Sequence, residues 1–132
     1  GGPLVQSAPE VELWLDGGHN AAAAAAIADL LGRLPERETH LICGMLNTKD
    51  VSSYMRALAP CAVQLIAVSI PGEANTMPSA ATANAAREAG LEACEASDVA
   101  QALEIISKAS PNARVLICGS LYLAGDVLRS NA

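Results

Sequence analysis

The tetrapeptide Leu-Ile-Cys-Gly occurs twice, at 41–44 and at 116–119. Consecutive apolar residues leave neither face of a strand for water, and a glycine directly behind them marks where the backbone turns away. Each copy is therefore predicted to be the end of a central strand, covered on both faces. A third run, Ala62 to Ile70, has the same character and is broken only by Gln64 and Ser69. Strands buried on both sides belong to parallel sheets with helices packed above and below. The two copies are too irregularly placed for a repeat protein.

The rest of the chain supplies those helices. Val11 to Asp16 reads as a strand that runs into Gly17-Gly18. Asn20 is placed to cap a helix that starts with six alanines and continues with Ile27, Leu30, Leu31 and Leu34 at i, i+3, i+4 and i+7, and Pro35 stops it. After the strand His40 to Gly44, Asp50 is expected to cap a short helix with Val51, Tyr54, Met55 and Leu58 on its apolar side. Pro71 to Pro78 is rich in turn residues, and Ser79 to Ala89 is helical with Gly90 as its stop. Leu91 to Glu95 is a short strand. Asp98 with Gln101 resembles a capping box ahead of Val99, Ala102, Leu103 and Ile106. Ala113 to Cys118 is a strand and Ser120 to Arg129 the closing helix. Strand and helix thus alternate five times. This predicts an α/β, Rossmann-like three-layer domain with a mostly parallel sheet of five to six strands. Composition does not shift along the chain, so residues 1–132 are read as one domain, with 1–10 as a linker.

Charge and composition exclude several functions. Lys plus Arg number 8 against 14 Asp plus Glu, a net charge of -6, and one Trp and two Tyr are the only aromatics. A nucleic-acid surface needs basic patches and stacking platforms, and neither is present. No apolar run reaches the length of a membrane span, and Gly1-Gly2-Pro3 has no signal-peptide character. Cys43, Cys61, Cys94 and Cys118 form no C-x-x-C and stand at no metal-ligand spacing from His19 or His40. They read as small buried hydrophobes in a reducing cytoplasm, with no metal in this chain.

In an open parallel sheet, ligands bind beyond the carboxyl ends of the strands. The loops there hold Asp16-Gly-Gly-His19-Asn20, then Gly44-Met-Leu-Asn47-Thr48-Lys49-Asp50, then Glu73 and Asn75 as plain loop polarity, then Gly119-Ser120-Leu-Tyr122. Neither G-x-G-x-x-G nor G-x-x-x-x-G-K-[ST] occurs, so the usual glycine-rich cradle for a triphosphate is lacking. A carboxylate at a strand end can accept hydrogen bonds from a ribose diol. A lysine can hold a carboxylate or phosphate as a point charge. A serine at a helix start can bind an anion beside free backbone N–H groups.

Three of these segments resemble one family. Asp16-Gly-Gly-His19-Asn20-Ala is similar to the Asp-Gly-Ala-His-Asn-Pro segment of folylpolyglutamate synthases and bifunctional dihydrofolate synthases. Gly44-Met-Leu-Asn-Thr-Lys49-Asp50 resembles their Gly-x-x-x-x-Lys-Asp, and Gly119-Ser120-Leu-Tyr122-Leu-Ala-Gly125 their Gly-Ser-Leu-Tyr-Leu-x-Gly. The matches come in the family's order and span Asp16 to Gly125. The family belongs to the Mur ligase superfamily, where such a Rossmann-like C-terminal domain is joined to a P-loop ATPase domain. The resemblance implies an ATP-dependent ligase that adds L-glutamate to a folate or dihydropteroate carboxylate through an acyl phosphate. It implies Asp16 at the ribose of ATP, His19 and Ser120 around the incoming glutamate, Lys49 as an anchor for a glutamate carboxylate and Tyr122 as a wall. Mg2+ would be held by the ATPase domain, no catalytic residue would lie in this chain, and the parent would be a cytoplasmic monomer. Ala21 stands where the family has proline, and the arginine that the family places upstream of its aspartate has no counterpart here.

Two other readings stay open at this stage. One is the C-terminal domain of a Mur ligase for peptidoglycan precursors, whose first motif usually differs and whose second is richer in glycine and arginine. The other is a free-standing, non-enzymatic α/β binding module. That module would have to build an acidic site within one chain, whereas Asp16 stands alone beside glycines and a histidine.

Overall fold

The computed structural model describes residues 11–47 and 50–130. Five parallel strands form one sheet: β1 (Glu12–Leu15), β2 (Thr39–Cys43), β3 (Gln64–Ala67), β4 (Ala93–Glu95) and β5 (Arg114–Cys118), in the order β1-β5-β2-β3-β4. The helices α1 (Ala21–Arg33), α2 (Val51–Leu58), α3 (Ser79–Glu88), α4 (Val99–Ala109) and α5 (Leu121–Ser130) alternate with them. A 3-10 turn, Ala59–Cys61, prolongs α2.

The recurring tetrapeptide has a direct structural meaning. β2 and β5 are neighbours, and their apolar residues pair one for one: Leu41 with Leu116, Ile42 with Ile117 and Cys43 with Cys118. Alternation along these strands then divides the core. Leu41, Cys43, Leu65, Ala67, Leu116 and Cys118 face one side, packed against Ala24 and Ile27 of α1, Tyr54, Met55 and Leu58 of α2, and Ala83 and Ala86 of α3. Ile42, Ile66, Val68, Val115 and Ile117 face the other, against Val99, Ala102, Leu103 and Ile106 of α4 and Leu123 and Val127 of α5.

Local signals behave as the sequence predicts at most helix starts. Asn20 is extended (φ -119°, ψ 172°) and its Oδ1 accepts from Ala23 N–H at 2.9 Å. Asp98 Oδ1 accepts from Gln101 N–H at 2.8 Å, while Gln101 Oε1 reaches back to Ser97 N–H, one residue earlier than a capping box would. Three expectations are corrected. Asp50 makes no side-chain cap, because its backbone (φ -103°, ψ 17°) is not in the extended region that aims a cap at the first turn. Leu30 is 44% exposed, since the alanine-rich helix meets its neighbours through Ala24, Ile27 and Leu31. Of the cysteines only Cys43 and Cys118 are buried; Cys61 is half-buried and Cys94, on the edge strand β4, is exposed.

Candidate functional site at the carboxyl edge

The crossovers β1-α1-β2, β2-α2-β3 and β3-α3-β4 all carry their helices to one face, and α4 and α5 lie on the other. The loops leaving β1 and β2 therefore diverge from the loop leaving β5 between them. Such divergence opens a crevice at the strand ends, where ligands of open α/β sheets bind.

Asp16 forms one wall. Its N–H donates to Ile117 O at 2.9 Å, so the β1–β5 ladder runs one residue past the strand. Its Oδ2 accepts from Gly18 N–H at 2.9 Å, a tight turn closed by the side chain. Gly18 has to be glycine: a Cβ there would overlap Ala23 Cβ and come within 2.9 Å of Asp16 Oδ2. His19 follows, exposed, directly before the capped start of α1.

The middle of the crevice belongs to β5. Gly119 has φ +104°, and a Cβ on it would stand 2.7 Å from Gly44 O and 2.7 Å from Met45 Sδ. Only glycine permits this approach. Ser120 comes next and is 1% exposed, and its Oγ accepts from Tyr122 N–H at 3.0 Å, at the start of α5. Tyr122 is 56% exposed and Leu121 71%, so both rise from the edge and neither packs into the core.

The far wall is the segment after β2. Gly44 N–H donates to Cys118 O at 3.2 Å. Beyond it the loop is stitched to the segment after β3: Met77 N–H donates to Met45 O at 2.8 Å, Asn47 N–H to Asn75 O at 2.9 Å, and Leu46 bridges Thr76. Lys49 lies outside the described residues. Asp16, His19, Ser120 and Tyr122 thus share one edge of the sheet, which is where β1 and β5 end.

Beneath this edge the polar groups are neutral. A hydrogen bond with Cys118, together with burial, pushes the Cys43 thiol well above its ordinary pKa. Tyr54 of α2 is also fully buried, and burial, then the neighbouring Cys118 and Cys43, push its phenol far up. Its hydroxyl has no nitrogen or oxygen partner among the described residues, only the Cys118 thiol beside it. Periodicity marks Tyr54 as a core residue and says nothing of a polar atom placed under the site. Only the rarity of tyrosine in this chain sets it apart.

A cleft of about 330 Å³ lies at the opposite edge, lined by Glu36, Arg37, Thr39, Cys61 and Arg114 among others. Its arginines are engaged with Glu12: Arg114 Nε is 2.7 Å from Glu12 Oε1, and Arg37 Nη1 is 3.1 Å from Oε2. Among the described residues no three His, Cys, Asp or Glu side chains are grouped to hold a metal ion. No helix among them is long and apolar enough to cross a membrane.

A parallel, doubly wound sheet with an acidic turn and a glycine-serine turn on adjoining strand ends defines an α/β domain of the Rossmann-like class. Residues 4–121 match the family model "Mur ligase, glutamate ligase domain", and the chain belongs to that family. It is 29% identical to a probable dihydrofolate synthetase of Schizosaccharomyces pombe over 136 residues, covering 95% of this chain and 32% of that protein. The chain therefore spans about a third of the length of that relative. It is similar to Mycobacterium tuberculosis folylpolyglutamate synthase complexed with ADP and AMPPCP, with 26% identity, a TM-score of 0.77 and coverage of 89% of this chain and 29% of that one. In fold it also matches a bifunctional folylpolyglutamate synthase/dihydrofolate synthase with Mn, AMPPNP and L-glutamate bound, at 22% identity and a TM-score of 0.71, over 88% of this chain and 28% of that one.

Proposed function

We propose that this chain is the C-terminal domain of an ATP-dependent ligase that joins L-glutamate to the carboxylate of a folate or dihydropteroate. One observation carries the reading: the Asp16 turn and the Gly119-Ser120 turn, two of the three motifs shared with folate ligases, stand side by side at the ends of adjoining strands. In this reading Asp16 accepts hydrogen bonds from the ribose of ATP; Oδ2 is already engaged by Gly18, which leaves Oδ1 for the ligand. His19 and Ser120 surround the incoming glutamate, Lys49 anchors one of its carboxylates, and Tyr122 forms part of the wall.

The chemistry follows from the same assignment. A carboxylate oxygen of the acceptor attacks the γ-phosphorus of ATP and ADP leaves. The glutamate amine then attacks the acyl carbon, phosphate leaves with the acyl oxygen, and the amine loses a proton. The domain contributes placement, holding the nucleotide and the amino acid against each other, and placement is a large part of any phosphoryl or acyl transfer. The triphosphate and its Mg2+ are assigned to a P-loop ATPase domain of the parent, as the resemblance to folate ligases implies. We place the parent in the cytoplasm as a monomer, where thiols such as the exposed Cys94 stay reduced. A peptidoglycan-precursor ligase and a free-standing binding module have no comparable support, since the relatives named above are folate ligases.

The test is an ADP-release assay on the full-length protein that carries this chain. ADP should form only when glutamate and a folate or dihydropteroate acceptor are both present. ADP release that needs a peptidoglycan precursor instead would overturn the reading.

A further inference from the structure

The register of the sheet carries a row of residues across the site. Leu15 pairs with Ile117, and one position further Asp16 follows on β1 as Cys118 follows on β5; Cys118 in turn pairs with Cys43 on β2. By the two-residue alternation Asp16 follows Trp14 onto the face that holds Leu116, Cys118 and Cys43. Tyr54 of α2 belongs to the same core cluster as Cys43 and Cys118. It is 0% exposed, and its hydroxyl, which lies beside the Cys118 thiol and within the field of the Asp16 carboxylate, has no nitrogen or oxygen partner among the described residues. A buried hydroxyl without a partner is costly and rare, and a thiol is a poor substitute for one. Asp16 meanwhile uses one oxygen for Gly18 N–H and has no second donor among the described residues.

We propose that Tyr54 is a positioning residue for Asp16, its hydroxyl becoming the second hydrogen-bond donor to that carboxylate when a ligand occupies the edge. The inference rests on Asp16 being a ligand-binding group. Its chemistry is suited to the task. A phenol whose ionisation is suppressed by burial and by neighbouring thiols is a permanent donor, so it holds the carboxylate without competing for its charge. Donation to Oδ2, the oxygen that already holds Gly18 N–H, would fix it and leave Oδ1 for the ligand.

The experiment is a double-mutant cycle in the full-length protein with Y54F and D16N, measuring KM for ATP, KM for glutamate and kcat. Y54F is expected to raise KM for ATP roughly ten-fold, the effect of losing one hydrogen bond to a charged group, with KM for glutamate unchanged. It should add much less in the D16N background, because the amide oxygen that remains is an uncharged and weaker acceptor for the hydroxyl. Its melting temperature should match or exceed that of the unchanged protein, since the buried hydroxyl gives up only a weak thiol contact in the free state. An unchanged KM for ATP, an effect that multiplies that of D16N, or a melting temperature lower by more than about 5 °C would each overturn the proposal. If D16N moves the glutamate constant alone, the nucleotide role of Asp16 falls separately, and Tyr54 keeps its role only if Y54F moves that same constant.

Discussion

The Asp16 carboxylate accepts a hydrogen bond from the Gly18 backbone N–H, two residues on, at 2.9 Å, and the space behind that N–H is filled by the first turn of α1. Side chain, backbone and helix start are thus fitted together with no room for a methyl group. Gly18→Ala should push Ala23 and the carboxylate apart, at a cost of about 1–3 kcal/mol typical of overpacking. Urea denaturation measures the loss. Nucleotide affinity in the full-length protein should fall with it, because the same overlap turns Asp16.

Gly119→Ala should be the most damaging single change at the edge. The position combines φ +104° with contacts to Gly44 O, Met45 Sδ and Cys43 Sγ, all between 2.7 and 2.8 Å from a Cβ. Backbone strain and overpacking together should cost about 2–5 kcal/mol. The expected result is a large drop in the denaturation midpoint, and a midpoint close to that of the unchanged chain would contradict the packing described.

Asp16→Ala and Ser120→Ala should separate the two substrates. In the full-length protein the first should mainly raise the ATP requirement and the second the glutamate requirement, each by about 1.5–3 kcal/mol, or roughly ten- to a hundred-fold. Ser120→Ala should also destabilise the domain by about 1 kcal/mol, since its Oγ accepts from Tyr122 N–H at the start of α5. Steady-state kinetics with each substrate varied in turn, and a melting curve, read these effects independently. Variants that raised only the folate requirement would show the roles to be misassigned.

Stability should fall in acid through Glu12. Hydrogen bonds from Arg114 and from the Trp14 indole, with the charges of Arg114 and Arg37, hold its carboxyl below the ordinary glutamate value of 4.5 against an opposing effect of burial. A carboxyl with a lower pKa in the folded state stabilises fully above its unfolded pKa and loses that contribution as pH falls through the folded one. Denaturation midpoints should therefore decline from about pH 5 downward. Glu12→Gln should be less stable near neutral pH and should approach the unchanged chain below pH 4. Parallel curves over the whole range would rule out the assignment.

The 132-residue chain alone should not catalyse ligation. No glycine-rich turn precedes either Lys49 or Lys108, the only lysines, so nothing in the sequence holds a triphosphate as a P-loop does. With only one wall of a cleft, ATP and glutamate should bind at roughly millimolar strength or weaker. Calorimetry with each ligand and an ADP-release assay with a folate acceptor check this. Turnover near that of the full-length protein would contradict the division of labour proposed above.

Much of this architecture is written in side chains that act locally or alternate. The doubled Leu-Ile-Cys-Gly marks two central strands, and Asn20 and Asp98 cap the helices they precede. Asp16 and Ser120 could be placed on one edge because each follows an apolar strand. What stayed hidden depends on backbone and on distant neighbours. The stitching of Met45 and Asn47 to Met77 and Asn75 is made by main-chain groups that every residue carries. Asp50 looks like a cap by composition and fails by conformation. Leu30 lies on the predicted stripe, yet alanines let the helix settle on a narrower one. Tyr54 reads as a core residue because its spacing is that of its apolar neighbours, and nothing in spacing reveals where a hydroxyl ends up.

The order of the sheet also bears on how the domain is made. Among the described residues β5 is the last strand in chain order, yet it lies between β1 and β2, and Arg114 bonds Glu12 across 102 positions of sequence. Until residues 114–118 emerge, β1 has no strand to pair with and the Asp16 turn has no ladder to continue. The crevice therefore comes into being only once β5 has joined the sheet between β1 and β2. Such long-range closure is slow compared with local folding. A nascent chain stalled before β5 should hold helices but lack the paired strand ends that form the edge.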